Sequence, residues 1–109
     1  MRIWDIAPSK LCRNHLLGEH RELHAVWNII TKNKKGYSNH PETIRWGGKL
    51  KALYKRHQLL VEEMEWRGYK HKSDLDIKLA TGNKEQSRYV NSPEEQLRIL
   101  RKKGCGCNF

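Results

Sequence analysis

The sequence predicts an all-α fold: a single compact domain of two long helices and a shorter third. Three observations carry that prediction. Apolar residues recur at helical spacing along two long stretches, a capping signature opens a third stretch near the end, and no run alternates apolar and polar residues as a strand does. A length of 109 residues corresponds to one domain, 1–109, with a limited core.

The first seven residues, MRIWDIA, are short and partly apolar. Pro8 suits a first helical turn, where its missing N–H is no loss, so the stretch from Pro8 to Thr31 reads as the first helix. Leu16, Leu23, Val26, Trp27 and Ile30 form its apolar stripe. Residues 32–41, KNKKGYSNHP, break the pattern and read as a loop. The second helix is expected over Thr43 to Arg67, where Leu50, Leu53, Tyr54, His57, Leu60, Val61 and Met64 give the strongest period in the chain. Gly47 and Gly48 leave a later start at Lys49 open, and Gly68 stands where a C′ glycine ends a helix. Residues 69–91 show little period. Ser92-Pro93-Glu94-Glu95 then combines an N-cap serine, a proline at N1 and a glutamate at N3, so a third helix is expected to about Lys103. Residues 104–109 read as a flexible tail.

Basic residues number 22 against 12 acidic, a net charge of +10. Residues 1–35 carry +4, 36–72 carry +4 and 73–109 carry +2, so the excess is spread over the fold instead of forming a basic arm. Such a surface suits an anionic partner, nucleic acid foremost. No apolar leader follows Arg2 and Asp5, and no run reaches the ~20 residues of a membrane span. The expectation is no membrane partner and a cytoplasmic site of action. Three cysteines, an odd number, fit a reducing compartment. Cys105 and Cys107 offer too few ligands for a structural zinc site, and Cys12 joins them only through the fold, so no metal is expected.

His15, Gly18 and Glu22 lie at i, i+3 and i+7 and share one face of the first helix, with Arg21 at its border. By spacing alone, that face fits a reactive site or an ordinary solvated surface. On the second helix, Lys49, Lys51, Lys55 and Arg56 come first and Glu62, Glu63 and Glu65 last. The helix dipole favours the reverse order, so phosphate contacts from the basic half are one explanation and an idle solvated face is the other. Trp4, Trp46, Trp66, Tyr37, Tyr54 and Tyr69 are interleaved with this charge. Tyr54 belongs to the apolar stripe, whereas Trp46, beside Gly47-Gly48, is the better candidate for a surface role, stacking on bases, with a place in the core as the alternative.

Five segments in one order carry a resemblance: MRIW at the start, HLLGEHREL (15–23), HP (40–41), WGGKLKALYKRH (46–57) and EEMEWRGY (62–69). Over about residues 1–72 the chain resembles the pyrimidine-dimer DNA glycosylase family. The resemblance implies a compact all-α fold whose N-terminal segment threads between helices to the active site. It implies a bifunctional enzyme that excises a base of a cyclobutane pyrimidine dimer in double-stranded DNA and then nicks the abasic site. The amine of Met1 takes the place of the family's N-terminal nucleophile, and Glu22 that of the catalytic glutamate. Arg2, His15 and Arg21 match DNA-contacting or site residues, no cofactor is required, and the enzyme is expected to act as a monomer. Two positions depart from the prototype. Arg2 is too bulky to permit removal of the initiator Met, so Met1 itself supplies the amine; and Ala25 stands where the prototype carries a further arginine. The alternatives are a lyase or glycosylase for abasic sites or another modified base, and a non-catalytic basic helical module that binds nucleic acid.

Overall fold

A computed structural model describes residues 2–32, 39–69 and 74–103. Met1, the 33–38 part of the expected loop with Tyr37, and the expected tail with Cys105 and Cys107 lie outside the described residues. The all-α expectation is borne out. The helices are α1 (Arg13–Thr31), α2 (Pro41–Arg45), α3 (Leu50–Trp66) and α4 (Pro93–Lys103), with 3-10 turns at Pro8–Lys10 and Ile77–Leu79. Among the described residues there is no strand, only an isolated antiparallel bridge between Lys49 and Gly82. No described helix is long and apolar enough to cross a membrane.

Two expected helices are each divided. Pro8 opens only a 3-10 turn, and the backbone extends through Leu11 and Cys12 before α1 begins. That break leaves Leu11 in the core at the foot of the helix. The expected second helix is α2 plus α3. His40 caps α2 through its Nδ1, which accepts the Glu42 N–H at 3.1 Å, and Pro41 follows at N1. Gly48 then takes a φ of 72°, a left-handed conformation that no helix continues through, and α3 starts at Leu50. Gly68 ends α3 as expected, with a φ of 85°. Its N–H donates to the Glu65 carbonyl at 3.0 Å and the Tyr69 N–H donates to the Met64 carbonyl at 2.9 Å, which closes the helix in a Schellman pattern.

The capping box of α4 also forms. The Glu95 N–H donates to Ser92 Oγ and the Ser92 N–H donates to Glu95 Oε1, both at 3.3 Å. The Ser92 backbone N–H, then the Asn91 and Ser92 side chains, hold the Glu95 carboxyl below its ordinary value. A depressed carboxyl stabilises the fold above its unfolded pKa, and that support is lost as pH falls through the folded value. Ser92→Ala removes the Oγ that caps the Glu95 N–H and should lower stability by about 1 kcal/mol, the cost typical of a lost N-cap, read by denaturant unfolding. The Ser92 backbone N–H that chiefly depresses Glu95 is kept in this variant, so most of the deficit should persist in acid; a deficit that vanishes below the carboxylate range would tie the effect to the Glu95 carboxylate instead of the cap.

The N-terminal segment runs through the middle of the helices. Ile3, Trp4 and Ile6 are buried in the common core with Leu16, Leu23 and Leu53. Three arginines fix its backbone. Arg45, itself 2% exposed, donates to the Ile3 carbonyl at 2.9 Å and pairs with Asp5 at 2.8 Å and with Glu42 at 2.6 Å. Arg56 donates to the Ile6 carbonyl at 2.8 Å, and Arg67 to the Leu11 carbonyl at 2.7 Å. From α4, the buried Gln96 accepts the Asp5 N–H at 2.7 Å and donates to Asp5 Oδ2 at 2.9 Å. Buried charges cost desolvation energy, and here each guanidinium recovers it through several hydrogen bonds that together set the register of an extended strand of chain.

Candidate active site

A cleft of about 230 Å³ opens where the N-terminal segment crosses the first half of α1 and the end of α4. Arg2, Trp4, Asn14, His15, Gly18, Glu19, Glu22 and Lys103 line it. Helical spacing sets the floor, since His15, Gly18, Glu19 and Glu22 lie on neighbouring turns of one face. Gly18 carries no side chain, and a Cβ built there would meet nothing within 4 Å, so the middle of that face is open. Trp4 is buried edge-on to His15, with ring centroids 5.7 Å apart and planes at 88°, and walls one end. Arg2 lies over the Trp4 ring at 5.1 Å and donates to Asn91 Oδ1 at 2.8 Å, which orients the guanidinium at the rim.

The two carboxylates of the cleft differ. Glu19 is 2% exposed and accepts both ends of the Arg56 guanidinium, at 2.7 and 2.9 Å. Burial pushes its carboxyl above the ordinary value, while the charge and hydrogen bonds of Arg56 pull it down. Glu22 is half-buried, and among the described residues no hydrogen bond or ion pair engages it. His15 is held below its ordinary pKa, first by burial and then by the charge of Lys103, and its Nδ1 lies 3.1 Å from Cys12 Sγ. At neutral pH it is therefore a neutral imidazole, able to donate or accept one hydrogen bond in the cleft. One half-buried carboxylate, one neutral imidazole and flanking cations together suit proton transfer beside an anionic, phosphate-bearing substrate.

Of the residues singled out by sequence, Arg2, His15 and Glu22 come together in this cleft. Arg21 is exposed on α1 immediately before Glu22. Lys51 and Lys55 are exposed on α3, and Lys55 lines a second cleft with Lys84 and Tyr89. Lys49 is half-buried, its Nζ donating to Gln86 Oε1 at 2.7 Å. Two expectations are corrected. Trp46, expected at the surface, is 2% exposed; its Nε1 donates to Glu42 Oε1 at 3.3 Å and Arg45 stacks over its ring at 4.8 Å, so its faces belong to the core and not to a nucleic-acid base. Arg56, expected on phosphate, is 10% exposed and committed to Glu19 and the N-terminal backbone.

Sequence reasoning missed Glu19 as the buried partner of Arg56, and Lys103 as a cleft residue. Glu19 follows Gly18 directly on the apolar side of α1, a weak signal for a buried acid; nothing local marks Lys103, which the packing of α4 brings in. A larger cleft, about 560 Å³, lies elsewhere, lined by Pro8, Ser9, Leu59, Glu62, Glu63, Trp66 and Arg67. Its two carboxylates, one of them paired with its single guanidinium, make it a poor seat for an anion.

With the geometry in place, comparison with known proteins gives one match. A family model described as pyrimidine dimer DNA glycosylase matches residues 1–77. Searches of curated proteins and of solved structures find no match.

Proposed function

The chain belongs to the pyrimidine dimer DNA glycosylase family, whose members are DNA-repair enzymes, and on that premise we propose that it is bifunctional, cutting the glycosidic bond of a cyclobutane pyrimidine dimer in duplex DNA and then the strand. The observation that carries this reading is the meeting of Arg2, His15, Gly18 and Glu22 in one cleft at the start of the chain. Arg2, the first described residue, lines the cleft, which supports the reading that the α-amine of Met1 is the nucleophile. An α-amine titrates near pH 8, about two units below a lysine, so a larger share of it is neutral and nucleophilic at pH 7. Its attack on C1′ displaces the base, which leaves with the bonding electron pair and takes a proton. Loss of a proton from nitrogen and opening of the sugar give an imine. The imine acidifies the C2′ hydrogen; removal of that proton expels the 3′ phosphate and breaks the strand. Glu22 is the group that moves these protons and offsets positive charge at the sugar. Arg2, Arg21, Lys51 and Lys55 hold phosphates, and a weakly stacked lesion lowers the energy of opening the duplex.

A panel of duplexes tests the reading: one carrying a cyclobutane dimer, one an abasic site, one a different damaged base and one intact, each scored for strand scission. Cleavage of the dimer and abasic duplexes is the expected pattern. Scission of the abasic duplex alone would reduce the activity to that of a lyase, an outcome to which Ala25, in the place of a family arginine, lends weight. Salt dependence separates contact from bystander on α3. Each phosphate contact contributes about −0.9 to the slope of log affinity against log salt. Lys55→Ala should weaken binding to damaged and intact DNA alike and flatten that slope by about one contact; an unchanged slope would put Lys55 on an idle face.

A further inference from the structure

We infer that the chain carries a divalent-metal site, of the zinc class, made by three histidines behind the cleft. His20 and His24 lie at i and i+4 on α1, and His57 faces them from α3. Their Nε2 atoms converge, His20 to His24 at 3.2 Å, His24 to His57 at 3.2 Å and His20 to His57 at 3.3 Å. A tetrahedral zinc ion binds imidazole nitrogen at ~2.0–2.1 Å, which sets its ligand atoms ~3.3–3.4 Å apart. A single ion therefore reaches all three nitrogens with only tenths of an ångström of adjustment.

Hydrogen bonding alone explains the triangle less well. From any corner the other two nitrogens lie about 60° apart, so an N–H aimed at one is drawn off line by the other, and bent hydrogen bonds are weak. His57, 0% exposed, is also set in the ligand tautomer: its Nδ1 lies 2.9 Å from Gln58 Oε1, an acceptor, so the proton is on Nδ1 and the Nε2 lone pair points into the triangle. Metal-binding histidines share this arrangement, in which the second ring nitrogen donates to an oxygen and fixes the ring. Three imidazoles suit zinc and its first-row neighbours, and reject calcium and magnesium, which prefer oxygen.

His20 and His24 are half-buried, and three imidazoles leave a fourth position of a tetrahedral ion for a further donor. The site is separate from the cleft, because Glu22 lies two residues from each α1 ligand and so on the other side of that helix. Its consequence is mechanical: an ion there ties α1, which bears His15 and Glu22, to α3, whose Arg56 holds Glu19 and the N-terminal backbone. The inference stands whether or not the repair chemistry proposed above is right.

The test titrates the full chain, stripped by chelator, with cobalt(II). One equivalent should bind with the intense visible bands of a four-coordinate ion, zinc should displace it, and zinc should raise the thermal midpoint of unfolding. His24→Gln changes a half-buried ligand and should keep its helical circular dichroism while binding weakens by more than the ~10–100-fold that loss of an outer partner costs. His57→Gln should do the same, and if that buried variant does not fold, His24→Gln carries the result. A Cys105→Ser/Cys107→Ser variant should bind cobalt as the parent does. Absence of one-to-one binding, bands that persist in His24→Gln, or bands that vanish with the two cysteines would each overturn the site.

Discussion

Glu22→Gln should fold, bind damaged duplex DNA and cleave it at least ~10²-fold more slowly, the contribution typical of a positioned acid/base group. The substitution preserves shape and removes only the charge and the proton-accepting oxygen. Folding is spared because, among the described residues, nothing is hydrogen-bonded or ion-paired to Glu22. Binding is spared because phosphate affinity rests on cations, and loss of a carboxylate from a +10 chain does not weaken it. The neighbouring acid gives the contrast. Glu19→Gln strips a buried charge from Arg56, so its effect falls on stability as well as on rate. The measurement is single-turnover nicking at saturating enzyme, which removes affinity from the comparison. Near-normal nicking by Glu22→Gln, with Glu19→Gln slow yet folded, would transfer the catalytic role to Glu19.

What the sequence made legible divides along local and non-local lines. The stripe of α3, the Gly68 stop and the Ser92–Glu95 capping box are local patterns, and each forms where the spacing puts it. The α1 face that lines the cleft was legible for the same reason, since His15, Gly18 and Glu22 need only one helix to align them. The errors arise where a partner is distant in sequence. Arg56 sits among lysines and reads as one more surface cation, but its carboxylate partner is 37 residues away. Trp46 beside two glycines suggests exposure, yet the turn those glycines make folds the indole inward, against Glu42 and Arg45. The same rule covers the histidine triangle. His20 and His24 form an H-x-x-x-H pair visible on inspection, while His57 joins them only when α3 packs on α1. Charge order on α3 divides in two: Arg56 serves the fold, whereas Lys51 and Lys55 remain exposed.

Borohydride added during reaction with abasic DNA should trap a covalent protein–DNA adduct, and peptide mapping should place the linkage on Met1. Acetylating the N-terminus, or leaving an uncleaved tag on it, should abolish both trapping and strand scission while leaving most of the DNA affinity, because one amine adds a single charge to a surface of +10. The structure supplies a rival nucleophile that makes the experiment discriminating. Lys103 lines the same cleft, and its charge is close enough to depress the pKa of His15. Lys10, the nearest lysine in sequence, is exposed on the 3-10 turn and does not line the cleft. At neutral pH an ordinary lysine is protonated by more than three units of pKa margin, against about one for an α-amine, so the α-amine holds the larger neutral fraction by roughly two orders of magnitude. Lys103→Ala should therefore leave trapping intact and change the rate only through the lost cation. A tagged protein that cleaves as fast as the free one, with an adduct mapped to Lys103, would move the Schiff base from the backbone terminus to α4 and leave Glu22 and His15 to serve a side-chain amine instead.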